Sequence, residues 1–127
     1  MHGVTGRMGM NQHLIRSIVA IRKQGGVTLS NGSKVMPDPI LIGRNAEKME
    51  ALAKAHNIAR WGTDLDAALA NKSDTVFFDA ATTQMRPVLL SQAIAAGKHI
   101  YCEKPVSTNL ADALDICRQA QAKGIKH

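Results

Sequence analysis

Two kinds of apolar pattern alternate along this chain, and their alternation limits the fold more than any single residue does. Short continuous apolar runs bounded by turn residues fit strands buried on both faces. Between them, apolar residues recur every three or four positions, as on one face of a helix. Strand, helix and strand in strict succession predict an α/β fold, a doubly wound parallel sheet with helices on both faces.

The first helix is expected from Met8 to about Lys23, where Leu14, Ile15, Ile18, Val19 and Ile21 recur and Gly25-Gly26 ends the pattern. Ile40-Leu41-Ile42 reads as a strand between Pro39 and Gly43, and Asn45 as the cap of a helix carrying Met49, Leu52 and Ala53. Ala59-Arg60-Trp61 is a brief strand, and Thr63-x-x-Asp66 a capping box for a small helix through Ala70. Asp74 to Ala80 is the clearest strand, followed by a helix from Gln84 to Ala96 that Gly97 closes. His99 to Cys102 is the next strand. The last helix, about Asn109 to Lys123, is expected to turn Leu110, Ala113, Leu114, Cys117 and Ala120 to one face. One stretch breaks the rhythm: residues 25–39 have the composition of turns, and Asn31-Gly32 suggests a hairpin with Val27-Thr28-Leu29 and Lys34-Val35-Met36 as arms. It reads as a surface insertion.

Composition narrows the function. The 127 residues make one domain, and 45% apolar residues suffice for a core. The net charge of +6 is spread without a basic block, and with four aromatic residues there is little to stack on bases, so nucleic acid is not an expected partner. No apolar run approaches the roughly 20 residues of a membrane span, and Met1-His2-Gly3 leaves no room for a signal peptide. The expected location is the cytoplasm. Cys102 and Cys117 stand apart and the histidines lack ligand spacing, so neither a disulfide framework nor a metal site is expected.

Two stretches carry chemistry. In Gly3-Val4-Thr5-Gly6-Arg7-Met8-Gly9 three evenly spaced glycines open a helix, which allows a tight turn, lets a pyrophosphate approach the main chain, and aims free N–H groups at its charge. In Ala96 to Pro105 an apolar strand runs directly into Glu103-Lys104-Pro105. Ligands of open α/β sheets bind outside the carboxyl ends of the strands, so a lysine there is placed to touch a substrate. A third signal follows Leu41-Ile42: Gly43-Arg44-Asn45 has no acid for a ribose hydroxyl but an arginine suited to a 2′-phosphate. Cys102 reads as a small buried strand residue.

On the phrase Ala-Gly-Lys-His-Ile-Tyr-Cys-Glu-Lys-Pro together with the glycine loop, the chain resembles the amino-terminal half of the Gfo/Idh/MocA oxidoreductases, the glucose-fructose oxidoreductase and inositol dehydrogenase family. The resemblance covers nearly all of the chain. It implies a Rossmann domain binding NAD or NADP, with NADP preferred on the strength of Arg44. It also implies hydride transfer between the nicotinamide and a hydroxyl carbon of a sugar, cyclitol or related polyol, in a homo-oligomeric full-length enzyme. By position, the loop residues Gly3, Val4, Thr5, Gly6, Arg7, Met8 and Gly9 would meet the pyrophosphate, and Arg44 with Asn45 the adenosine end. Ala81, Thr82 and Thr83 would line the cofactor, Glu103 would contact the nicotinamide ribose, and Lys104, followed by Pro105, would sit at the reacting carbon as the catalytic residue.

The departures also set expectations. In the family the clear strand usually ends in Thr-Pro followed by a histidine; here Thr82-Thr83-Gln84-Met85-Arg86-Pro87 has neither, and Arg86 stands about where the histidine would be. The chain opens at the loop, so the first strand is expected to be lacking, with Met1 and His2 too short to make it. Ile125-Lys126-His127 reads as the entry to a sixth strand, and the second, substrate-binding α/β domain is lacking. Such a chain is expected to be poorly stable and to bind dinucleotide without turnover. Two other functions fit parts of the pattern: a non-catalytic NADP-binding module, and a dihydrodipicolinate reductase, which opens on a similar loop but carries a His-His motif absent here.

Overall fold

The computed structural model describes all 127 residues, Met1–His127. The first helix starts within the end of the glycine loop and winds as a π-helix over Gly9–Val19 before tightening into a single α-helical stretch, α1 (Ala20–Lys23). Its buried residues, Gly9, Leu14 and Val19, are five apart. That interval follows the wider i→i+5 turn of a π-helix rather than the α-helical spacing the sequence suggested.

β1 (Val27–Thr28) and β2 (Lys34–Val35) form the expected antiparallel hairpin, with Thr28 opposite Lys34. The connection is longer than a two-residue turn. Leu29 N–H donates to the Ser33 carbonyl at 2.8 Å, and Gly32 sits at φ 82°. Three residues, Ser30 to Gly32, thus close the loop, with glycine where a left-handed residue is required.

The remaining elements follow in the predicted order: β3 (Ile40–Ile42), α2 (Ala46–Ala55), β4 (Arg60–Gly62), α3 (Leu65–Ala70), β5 (Val76–Asp79), α4 (Arg86–Ala95), β6 (His99–Cys102) and α5 (Leu110–Ala122). Asn45 and Asn109 cap α2 and α5 by accepting the N–H of Lys48 and Asp112. The cap of α3 is Asp64, which accepts from Ala67 N–H, and not Thr63. On α5 the expected face is turned: Ile116 and Ala120 are buried, whereas Leu110 is 73% exposed and Leu114 45%.

β3 pairs with β4 and β5 with β6, both in parallel. Between the two pairs lie Met1 and His2. His2 bridges Ile42 on one side and Asp79 on the other, in parallel with both. Its N–H donates to Phe78 C=O at 2.8 Å, its C=O accepts from Ala80 N–H at 3.0 Å, and Met1 C=O accepts from Ile42 N–H at 2.9 Å. Met1 and His2 form no strand of their own, as expected, yet each bonds one neighbour, and that is enough to join both halves. At the far edge Ile100 N–H donates to Lys126 C=O at 2.9 Å, so the chain end runs beside β6 as expected.

Successive residues of β5 point to opposite faces. Phe77 joins Ile100 and the helices α4 and α5 in one core with Leu89, Leu90 and Ile94. Phe78 faces the first helix, where its ring lies 4.8 Å from that of His13. A second core gathers Val4, Leu14 and Val19 with Leu41, Met49, Ala53 and Ile58. The sheet is therefore wound on both faces, as the alternating pattern requires. Above Met1 the edges of β3 and β5 part around a cavity of about 710 Å³ that Met1, Ile40, Val76 and Phe78 help to line.

Candidate functional site

The three glycines of the loop differ in what surrounds them. Gly3 has φ 76°, and a Cβ there would stand 2.3 Å from the backbone nitrogen of Ala81. A Cβ on Gly9 would stand 2.3 Å from the Gly3 carbonyl oxygen. Gly6 is open: its nearest neighbour is that same carbonyl oxygen at 3.4 Å. Outer glycines that let backbone meet backbone, around a middle one facing empty space, are what close approach by a phosphate group requires. Val4 is fully buried in the second core, whereas Thr5, Arg7 and Met8 are exposed. Of these loop residues, Val4 can offer a ligand only its backbone.

The Gly3–Ala81 approach ties the glycine loop to the carboxyl end of β5. The next strand end is tied in as well, because Glu103 N–H donates to Asp79 C=O at 2.9 Å. The loop, Ala81 to Thr83 and Glu103 to Pro105 thus meet along one edge of the sheet. Arg44 is exposed at the end of β3, and the Asn45 side chain is engaged as the α2 cap. Lys104 is exposed and joined to Pro105 by a cis peptide bond.

Three residues hold this edge together without having been chosen as site residues from the sequence. Asp79 ends β5 with a fully buried carboxylate. Arg86, 2% exposed, donates from Nε to its Oδ2 at 2.8 Å, and from Nη2 to Ala81 C=O at 2.7 Å. Its Nη1 donates to the Pro105 carbonyl. One guanidinium thereby joins the two loops that follow β5 and β6. On the other side, His2 Nδ1 lies 3.2 Å from Asp79 Oδ1. Burial pushes the Asp79 carboxyl up, but hydrogen bonds from His2, Arg86 and the Ala81 N–H outweigh it and hold the group below the ordinary carboxylate range. Arg86 is thus a clamp inside the protein rather than a group facing ligand from the position of the family's histidine. An acid closing an apolar strand seven residues before an arginine was the legible signal for this pair.

The third is His13. Its Nε2 hydrogen-bonds Glu103 Oε1, and this bond is the leading reason that the Glu103 carboxyl lies below its ordinary range. Nothing in the sequence marks His13, because its partner is 90 residues away. Cys102 is half-buried, and burial pushes its thiol up, away from the reactive thiolate. No helix is long and apolar enough to cross a membrane.

The sequence pattern of an oxidoreductase family described by its NAD-binding Rossmann fold spans residues 7–126. A D-xylose dehydrogenase of Paenarthrobacter nicotinovorans is 46% identical over 125 residues, covering 98% of this chain and 32% of its own length. Among solved structures, a levoglucosan dehydrogenase in complex with NADH and levoglucosan matches 99% of the chain at TM-score 0.80 and 20% identity, over 32% of its own length. An NAD-binding oxidoreductase from Klebsiella pneumoniae matches 98% at TM-score 0.77 and 22% identity, over 31% of its length. At those identities the two structures speak for the fold alone. The chain spans about a third of the length of the relatives it matches.

Proposed function

The chain belongs to the oxidoreductase family built on an NAD-binding Rossmann fold, and from that premise we propose that it is the dinucleotide-binding part of a sugar or polyol dehydrogenase that prefers NADP. The observation that carries the reading is the convergence of the open Gly6, the Ala81–Thr83 turn and Glu103-Lys104 at the carboxyl ends of parallel strands. That edge is where open α/β sheets bind their ligands.

Gly3 to Gly9 would receive the pyrophosphate on backbone N–H groups at a helix start. Arg44, exposed at the end of β3 with no acid beside it in Gly43-Arg44-Asn45, supports a 2′-phosphate there. Glu103 would accept from a nicotinamide ribose hydroxyl. When bound, the oxidised nicotinamide supplies the hydride acceptor. The carbinol carbon loses its hydrogen with the bonding pair, and the hydroxyl proton passes to a base, a role the family resemblance gives to the second domain. Lys104 would face the oxygen and stabilise its alkoxide character, with the Arg86 bond to Pro105 C=O holding the turn in place. Similarity to a D-xylose dehydrogenase supports a sugar as the substrate class.

Titration of the chain with NADPH and NADH, followed by reduced-nicotinamide fluorescence, tests the reading. NADPH is expected to bind more tightly, and Arg44→Asp to reverse the order. Binding of neither dinucleotide overturns the assignment; equal binding of both, unchanged in the variant, removes Arg44 from it.

A further inference from the structure

His13 is given no ligand contact in the proposed function, yet its ring is packed between the sheet and the site. It packs 4.8 Å from the ring of Phe78 and 6.4 Å from that of Tyr101, and those two rings stack at 5.5 Å across β5 and β6. Its side chain is 19% exposed and that of Glu103 18%, so the bond between them lies at the rim of the site with little water to compete. The winding of the first helix puts the ring there. Gly9, Leu14 and Val19 form the buried stripe at five-residue intervals, and His13 and Ile18 form the stripe beside it, over the Phe78 face of the sheet.

We propose that His13 is a positioning residue for Glu103: the π-helical turn after the glycine loop brings its Nε2 onto the Glu103 carboxylate and fixes that carboxylate where the bound dinucleotide meets it. This rests on the dinucleotide reading above. A carboxylate on a turn samples several rotamers, and a ligand that must order it loses affinity accordingly. A donor braced on two aromatic rings bears that cost in the folded chain. The Lys104 backbone N–H adds a smaller contribution to the same carboxylate. The glycine loop and the strand-end carboxylate are then set by one helix.

The test is a double-mutant cycle on the full chain, reading NADPH affinity by fluorescence and folding by thermal melts. His13→Phe keeps the aromatic packing and removes the donor; His13→Gln returns an N–H donor; Glu103→Gln alters the acceptor. Glu103→Gln is expected to weaken binding on the order of tenfold, the worth of one charge-assisted hydrogen bond to the ligand, and His13→Phe by about 2- to 10-fold, the cost of ordering one side chain on binding. The double variant should bind no worse than Glu103→Gln, and His13→Gln should recover most of the affinity. Wild-type affinity in His13→Phe, or losses that multiply in the double variant, overturns the positioning role and leaves the dinucleotide reading standing. Wild-type affinity in Glu103→Gln removes both residues from the site while binding itself persists. Failure of the unaltered chain to bind NADPH or NADH overturns the dinucleotide reading and this inference with it.

Discussion

Gly3, Gly6 and Gly9 are one residue type with separate roles, and substitution separates them. Gly3 combines a positive φ with a backbone neighbour 2.3 Å from any Cβ, and Gly9 meets the Gly3 carbonyl as closely. Gly3→Ala and Gly9→Ala are therefore expected to unfold the chain or lower its melting temperature sharply. Gly6→Ala, with only a 3.4 Å contact, should melt near the wild type yet bind dinucleotide poorly. Arg86 offers the complementary case. Arg86→Met leaves the Asp79 carboxylate buried with one of its partners gone, which should cost about 3–5 kcal/mol in denaturant unfolding. The pH dependence follows from the depressed Asp79 carboxyl. Its stabilisation is complete above the ordinary carboxylate range and is lost as pH falls through the folded value, so acid unfolding should begin at higher pH in Arg86→Met.

Elements were legible where local signals and burial agree. Asn45 and Asn109 start helices with an acid in the first turn, and both caps form where the residue pattern places them. Pro37 and Pro39 before Ile40, and Gly43 after Ile42, delimit β3 in the same way. The pattern misled where two registers fit one string. Leu14, Ile15, Ile18 and Val19 satisfy an α-helical face, but the backbone contact of Gly9 with Gly3 and the depth of Leu14 and Val19 favour a five-residue repeat. On α5, Leu110 and Leu114 look like core residues, yet the stripe packed on α4 and β6 is Ile116 and Ala120. Leu110→Gln should therefore change unfolding free energy by less than about 0.5 kcal/mol, whereas Ile116→Ala should cost about 2–5 kcal/mol. Equal losses in urea unfolding would contradict the face assigned to this helix.

At the scale of the whole molecule, Met1 and His2 hold together two halves whose cores share no buried residue. The Met1 α-ammonium donates to Ile40 C=O at 2.7 Å, and burial pushes its pKa down from 8.0 to about 6. The unfolded chain keeps that proton up to the higher value, so unfolding takes up a proton between the two. Stability of the 127-residue chain should then rise by about 2 kcal/mol from pH 6 to pH 8. Parallel pairing also aims the Val76 carbonyl and the Phe78 and Ile40 N–H groups into the cavity above Met1. An extended apolar segment of four residues joined to Met1 can pair with them and replaces the buried ammonium by an amide. Such an extension should raise the melting temperature by about 5 °C or more and flatten the pH dependence, while a proline-bearing control should not.

By itself the sequence determined the succession of elements, the parallel winding and the loops that carry the chemistry, because these depend on propensity, capping and periodicity within a few residues of one another. The tertiary structure alone decided that two residues suffice as a central rung, that Arg86 turns inward onto Asp79, and that His13 meets Glu103 across 90 positions. Each of those is a pairing made by packing between distant segments, and neither partner carries a local mark of the other.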